Sequence, residues 1–258
     1  MLKFSANLTM MFNEVDFLSR FERAAKAGFK GVEYLFPYGW SKEQLTDELG
    51  KHHLKQVLHN LPAGDWQAGE RGIACLPGRE GEFQEGVGLA LDYAKALKCD
   101  RLNCLVGKTP QGISLEKVRQ TLVNNLQFAS TALEKENVRL LIEPLNSQDI
   151  PGFYLVHTQD ALQLFKEVNR PNLWLQYDIY HMQIMEGNLT KAILNNLSRI
   201  IHLQIADNPG RHEPGTGEIN FTNLFRFIDE AGYDGWIGCE YIPAGKTEDG
   251  LQWVKPYL

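Results

Sequence analysis

The chain has 258 residues, of which 43% are hydrophobic and 22% charged, and its formal net charge is −6. That length suits one α/β barrel without requiring a second domain, and the composition is that of a globular chain with a large core. The acidic balance without a basic cluster argues against nucleic acid, no run is apolar for the length of a membrane span, and Met1-Leu2-Lys3-Phe4 reads as a strand rather than a signal peptide.

In chain order, residues 3–8 read as a strand and 14–27 as an amphipathic helix, with Gly28 as its left-handed stop. A second strand at 31–36 precedes a helix at 42–50. A third strand at 55–61 leads into a long Gly/Pro-rich segment from Leu61 to Gly81 and a helix at 84–98. Strands at 101–106 and 138–145 alternate with helices at 115–136 and 158–168, with Thr158 expected to cap the latter. The last three strands fall at 173–179, 200–207 and 235–242. Helices are expected at 189–195 and 221–231, and a final one at 247–254. Ala27-Gly28-Phe29-Lys30-Gly31-Val32-Glu33 and Ala231-Gly232-Tyr233-Asp234-Gly235-Trp236-Ile237 share an A-G-x-x-G passage from helix into strand.

Eight β-then-α units predict a parallel sheet with crossover helices, closed as a single (β/α)8 TIM barrel spanning 1–258. An open doubly wound sheet would place a glycine-rich phosphate loop after the first strand. Leu8-Thr9-Met10-Met11-Phe12 stands there instead. Cys75, Cys99, Cys104 and Cys239 have neither CxxC nor zinc-ligand spacing, and free thiols in a reducing cytoplasm are the expectation. The helical ring of a barrel leaves a homo-oligomer open.

Four polar side chains follow apolar strand interiors at the ends of the last four strands. They are Glu143 in Leu140-Leu141-Ile142-Glu143, Asp178 in Leu175-Gln176-Tyr177-Asp178, Gln204 in Ile201-His202-Leu203-Gln204, and Glu240 in Ile237-Gly238-Cys239-Glu240. One acid at a strand end is commonly a solvated loop residue or an ion-pair partner. Four in succession around the C-terminal mouth of a barrel form an oxygen-rich cage for a hard divalent cation, Mg2+ or Mn2+ before Zn2+. Alternation turns His202 to the same face as Gln204, which leaves it as a packed interior histidine or a rival ligand. Glu33 closes the second strand, either hydrogen-bonding to substrate or metal-bound water or forming an ion pair, and His59 faces either core or mouth. Met10-Met11-Phe12 reads as core or as an apolar wall.

The chain resembles the hydroxypyruvate isomerase family, within the xylose-isomerase-like barrels, which includes 2-oxo-tetronate isomerases. The resemblance runs over essentially the whole chain. It is carried by Asn60-Leu61-Pro62-Ala63-Gly64-Asp65-Trp66 with Gly69-Glu70-Arg71-Gly72, by Leu141-Ile142-Glu143-Pro144-Leu145-Asn146, and by Tyr177-Asp178-Ile179-Tyr180-His181. Gln204-Ile205-Ala206-Asp207, Glu213-Pro214-Gly215-Thr216-Gly217 and Gly238-Cys239-Glu240-Tyr241 complete it. It implies that Glu143, Asp178, Gln204 and Glu240 bind the metal and that Glu143 and Glu240 transfer the proton. Sugar-epimerase relatives usually carry His where Gln204 stands, a departure that suits a harder ion.

The resemblance also implies His181 and Arg211 as contacts to a small hydroxy-keto acid. Arg71 and Arg79 on the long third loop are further candidates for its carboxylate, and Trp66 for a lid. The implied reaction interconverts hydroxypyruvate and 2-hydroxy-3-oxopropanoate, or 2-oxo- and 3-oxo-tetronate, through an enediolate. Competing readings are a ketose 3-epimerase or sugar isomerase, which needs no arginine clamp, and an endonuclease IV-like enzyme, which needs a histidine-rich zinc cluster and a basic DNA face.

Overall fold

The computed structural model describes residues 1–258. Eight parallel strands close on themselves: β1 (Lys3–Asn7), β2 (Gly31–Glu33), β3 (Lys55–Asn60), β4 (Arg101–Cys104), β5 (Arg139–Ile142), β6 (Leu173–Asp178), β7 (Ile200–Ile205) and β8 (Trp236–Cys239). Closure is made by β1 against β8, with Lys3 opposite Trp236 and Ser5 opposite Gly238. The helices are α1 (Ser19–Lys26), α2 (Lys42–Lys51), α3 (Glu80–Ala96), α4 (Leu115–Glu134), α5 (Thr158–Val168), α6 (Ile179–Met185), α7 (Leu189–Asn196) and α8 (Phe221–Glu230). Short 3-10 turns at Thr247–Trp253 and Lys255–Tyr257 end the chain. This is the barrel expected from the alternation of strands and helices. No helix is long and apolar enough to cross a membrane.

Local chemistry sets the helix boundaries. Ser41 and Gln44 form a reciprocal capping box on α2, and Ser114 and Asn220 accept from the backbone N–H groups of Lys117 and Asn223 to start α4 and α8. Gly28 has φ +105, as a left-handed helix stop requires. Along the helices the apolar stripes of α1 (Phe21, Ala24), α4 (Val118, Leu122, Leu126, Ala129, Leu133) and α8 (Leu224, Phe225, Ile228) are buried against the barrel.

Three expectations differ from the structure. Residues 14–18 precede α1 rather than belong to it, because the Glu14 carboxylate is engaged by the backbone N–H of Thr247 at 2.6 Å. Thr158 is the first residue of α5, not its cap. Its N–H and hydroxyl donate to the Glu186 carboxylate at 2.7 and 3.0 Å, so a distant acid closes that helix end. The stretch after β6 is helical at once: α6 begins at Ile179, and Asp178 serves as last strand residue and N-cap together, accepting from Tyr180 N–H at 2.8 Å. Met11 and Phe12 are core, whereas Met10 lines the cavity at the mouth.

Candidate active site

Strand ends converge on a cavity of about 420 Å3 at the C-terminal mouth. Its lining includes Asn60, Trp66, Arg71, Glu143, Gln176, His181, Arg211 and Glu240. Glu143 and Glu240 stand one residue beyond β5 and β8, and Asp178 and Gln204 lie on β6 and β7, opposite each other in register. All four are buried.

Glu143 and Asp178 are each held at one oxygen and open at the other, whereas both oxygens of Glu240 are engaged. Glu143 Oε2 accepts from the Asn103 and Gln176 amides, both at 2.9 Å, while Oε1 has no partner. Asp178 Oδ1 accepts from the backbone, and its buried Oδ2 is also without a hydrogen bond. Glu240 Oε2 accepts from Arg211 Nη2 at 3.1 Å and Oε1 from Asn7 Nδ2 at 3.3 Å. Arg211 Nη2 lies 3.9 Å from Asp178 Oδ2 as well, so one guanidinium faces two carboxyls. Its flat face also approaches the Tyr180 ring, with Cζ 5.0 Å from the centroid.

Burial is the largest cause raising the Glu143 carboxyl well above the ordinary carboxylate range, and the negative charges of Glu240 and Asp178 add to it. Burial likewise pushes Glu240 up to about 8, opposed by Arg211 and reinforced by Asp178 and Glu33. Asp178 is raised for the same reason. Three acids around one arginine are under-compensated, and two of their buried oxygens lack partners. A divalent cation would satisfy both deficits, so the donor set fits a metal ion.

Glu143, Asp178 and His181 bring ligand-capable atoms within 4.8 Å of one another, and this buried trio could hold a metal. The hydrogen bonding of His181 bears on its share. Nδ1 accepts from Asn146 N–H at 3.2 Å, so the neutral ring carries its proton on Nε2, which lies 3.6 Å from Asp178 Oδ2. Burial and the nearby Arg211 charge drive this imidazole well below its ordinary value, which keeps it neutral. His181 therefore presents a donor to the cavity.

A polar layer lies beneath. Gln204 Nε2 donates to Glu33 Oε1 at 2.8 Å, and Gln204 Oε1 accepts from Gln176 Nε2 at 2.7 Å. Glu33 is wholly buried and also accepts from Ser5 Oγ at 2.7 Å and Asn7 Nδ2 at 3.3 Å, with His202 Nε2 2.9 Å away. The pairing of Glu33 with His202 accounts for both interior residues. His59 turns outward to Ala90 of α3, with Nε2 3.4 Å from its carbonyl oxygen, and does not line the cavity.

Of the loop arginines, Arg71 lines the cavity and stacks on Trp66, with Cζ 3.7 Å from the ring centroid. Arg79 is taken up by the Glu70 and Glu82 carboxylates and is not at the mouth. Asn7, Asn103 and Gln176 were missed by the sequence reading. Their signal is inward parity: Gln176 sits two residues before Asp178 on β6, and Asn103 two before Leu105, which follows β4 and lines the cavity.

A family model described as "Xylose isomerase-like TIM barrel" matches residues 21–257. The chain is 58% identical to the hydroxypyruvate isomerase of Escherichia coli over 257 residues, covering 100% of both chains. It is 46% identical to a 2-oxo-tetronate isomerase of Cupriavidus necator, covering 100% of this chain and 99% of that one. The chain belongs to the hydroxypyruvate isomerase and 2-oxo-tetronate isomerase family. It is an isomerase of the hydroxypyruvate isomerase type. A solved structure from Brucella melitensis, described as an AP endonuclease, family 2, superposes with TM-score 0.97 at 49% identity, covering 100% of this chain and 99% of that one.

Proposed function

We propose that the chain is a metal-dependent isomerase that moves a proton between adjacent carbons of a small hydroxy-keto acid through an enediolate. Hydroxypyruvate would become 2-hydroxy-3-oxopropanoate, or a 2-oxo-tetronate its 3-oxo isomer. The observation that carries the reading is the presence in one cavity of two buried carboxyls, Glu143 and Glu240, both raised above the ordinary carboxylate range by burial, beside Arg211 and the neutral His181 donor. The activities named for the Escherichia coli and Cupriavidus necator relatives support it.

Glu143, Asp178, Gln204 and Glu240 would hold the divalent cation, Mg2+ before Mn2+, which when bound supplies Lewis-acid polarisation of the substrate carbonyl. One glutamate takes the proton from the hydroxyl-bearing carbon, and the other delivers a proton to the former carbonyl carbon. The hydroxyl hydrogen is exchanged between the two oxygens, so atoms balance. The two glutamates exchange roles between forward and reverse directions; burial raises both, and Arg211 hydrogen-bonds to Glu240 alone, so their environments differ. Arg211 and Arg71 would orient the substrate carboxylate, and His181 Nε2–H would donate to a substrate oxygen. Trp66 at the mouth would exclude water.

Two arginines at the cavity favour an acid over a neutral ketose. An endonuclease reading lacks support in a chain of net charge −6 whose cage holds one histidine. The test is solvent-deuterium incorporation followed by NMR, with hydroxypyruvate and 2-oxo-tetronates, with Mg2+ or Mn2+ and with chelator. Metal-dependent incorporation next to the carbonyl with conversion to the isomer is expected. Exchange with ketoses alone would move the protein to the epimerase reading. A Glu143→Gln or Glu240→Gln enzyme with near-normal turnover would overturn the glutamate assignment.

A further inference from the structure

Glu33 takes no part in the reaction proposed above. It is wholly buried and is not among the residues that line the cavity. A carboxylate in that position is costly unless it is fully satisfied, and the barrel satisfies it with donors from β1 and β7. The barrel also makes room for it. A Cβ at Gly238 of β8 would fall 2.2 Å from Glu33 Oε1.

The contact with most consequence is the one to Gln204. A carboxamide has two ends of nearly equal shape and opposite function. Its oxygen can ligate a cation, and its NH2 group repels one. At Gln204 both ends are spoken for: the NH2 group donates to Glu33 Oε1 at 2.8 Å, and the oxygen accepts from Gln176 Nε2 at 2.7 Å. Reversing the amide would set oxygen against a carboxylate oxygen on one side and NH2 against NH2 on the other. Gln176 holds the oxygen end from the other side, its own NH2 group fixed by a second hydrogen bond to Glu143 Oε2 at 2.9 Å, while Glu33 alone holds the NH2 end. Turning the Glu33 carboxylate changes nothing, since both its oxygens are acceptors.

We propose that Glu33 is a positioning residue that anchors the Gln204 NH2 group below the site, so that the Gln204 carbonyl oxygen is presented as a ligand of fixed orientation. The proposal rests on the reading that Gln204 is a ligand to the divalent cation. An ordinary carboxamide is a weak, neutral ligand. Orienting it in advance removes the cost of selecting one of two flips at each binding event and keeps the site all-oxygen.

The test is calorimetric titration of chelator-stripped, full-length protein with Mn2+ alone, so that the readout is metal affinity rather than turnover. Four proteins are compared: the parent, Gln204→Leu, Glu33→Leu and the double variant. Glu33→Leu is expected to weaken Mn2+ binding about 10- to 100-fold, the range found for partners that orient a ligand. Because Glu33 acts through Gln204, its removal in the Gln204→Leu background should cost less than about threefold more. Additive losses would assign Glu33 a general structural role and overturn the proposal. Parent-like affinity in Glu33→Leu with weakened binding in Gln204→Leu would overturn the positioning role alone and leave Gln204 a ligand. Parent-like affinity in Gln204→Leu would remove the ligand reading itself. Should Glu33→Leu fail to fold, Glu33→Asp keeps the buried charge but withdraws the acceptor by about 1.5 Å. The same weakening and the same non-additivity are expected of it, and parent-like Mn2+ affinity in folded Glu33→Asp would overturn the proposal.

Discussion

Substituting Gly238 by alanine adds one methyl group at the point where β8 passes Glu33. The new Cβ would lie 2.2 and 2.4 Å from the two carboxyl oxygens and 2.5 Å from Cδ. Ordinary contact requires the carboxyl to retreat by about 1 Å. Ser5 Oγ and Gln204 Nε2, now 2.7 and 2.8 Å from it, would then stand outside hydrogen-bond range. A hydrogen bond to an ionised acceptor contributes about 1.5–3 kcal/mol net, so losing two costs roughly 3–6 kcal/mol before the barrel relaxes. A residual loss of about 3 kcal/mol in a chain of this length lowers Tm by roughly 6–12 °C. Thermal unfolding followed by circular dichroism, paired with urea titration, measures it. An alanine variant melting within about 2 °C of the parent would show that Glu33 is not held as rigidly as its donors imply.

His59 offers a test by pH. Burial lowers its imidazole from the ordinary value to about 4. Because the folded value lies below the unfolded one, the unfolded chain takes up the proton first. Stability from this residue is complete above about pH 6.5 and is lost as pH falls toward 4, by about 2.5 kcal/mol at pH 4.5. His59→Leu should flatten the fall in urea-unfolding stability between pH 7 and 4.5 by that amount, and parallel curves would refute it. Glu186→Ala removes the acid that receives the first N–H of α5 and the Thr158 hydroxyl. A loss of about 1–2 kcal/mol in chemical denaturation is expected, and a change below a few tenths would mean that water caps the helix equally well.

The barrel was legible because its strands are bounded by strong punctuation. Gly28 and Gly232, in the shared A-G-x-x-G passages from helix into strand, both take positive φ at helix ends. Glu143, Asp178, Gln204 and Glu240 stand out because they recur at the ends of four successive strands, where one acid alone would say little. What the sequence does not display is the layer below. Gln176 and Asn103 are unremarkable polar residues inside strands, and their function appears only when parity and closure turn them inward. Register irregularities fall beside Glu33 on β2 and beside Gln176 on β6, where simple alternation is least reliable. The α6 helix was hidden for a related reason. No turn residue separates it from β6, because Asp178 ends one element and caps the next. Thr158 shows the limit of a local capping rule, since an acid 28 residues away had already claimed that helix end.

The stacked pair at the cavity mouth gives the protein an internal optical gauge. Among five tryptophans, Trp66 alone lines the cavity, and the Arg71 guanidinium rests on its indole face. A cation held against an indole perturbs its emission, and any anion that draws the guanidinium away releases that perturbation. Occupancy of the cavity is thereby coupled to the colour and yield of a single fluorophore, with no label attached to the chain.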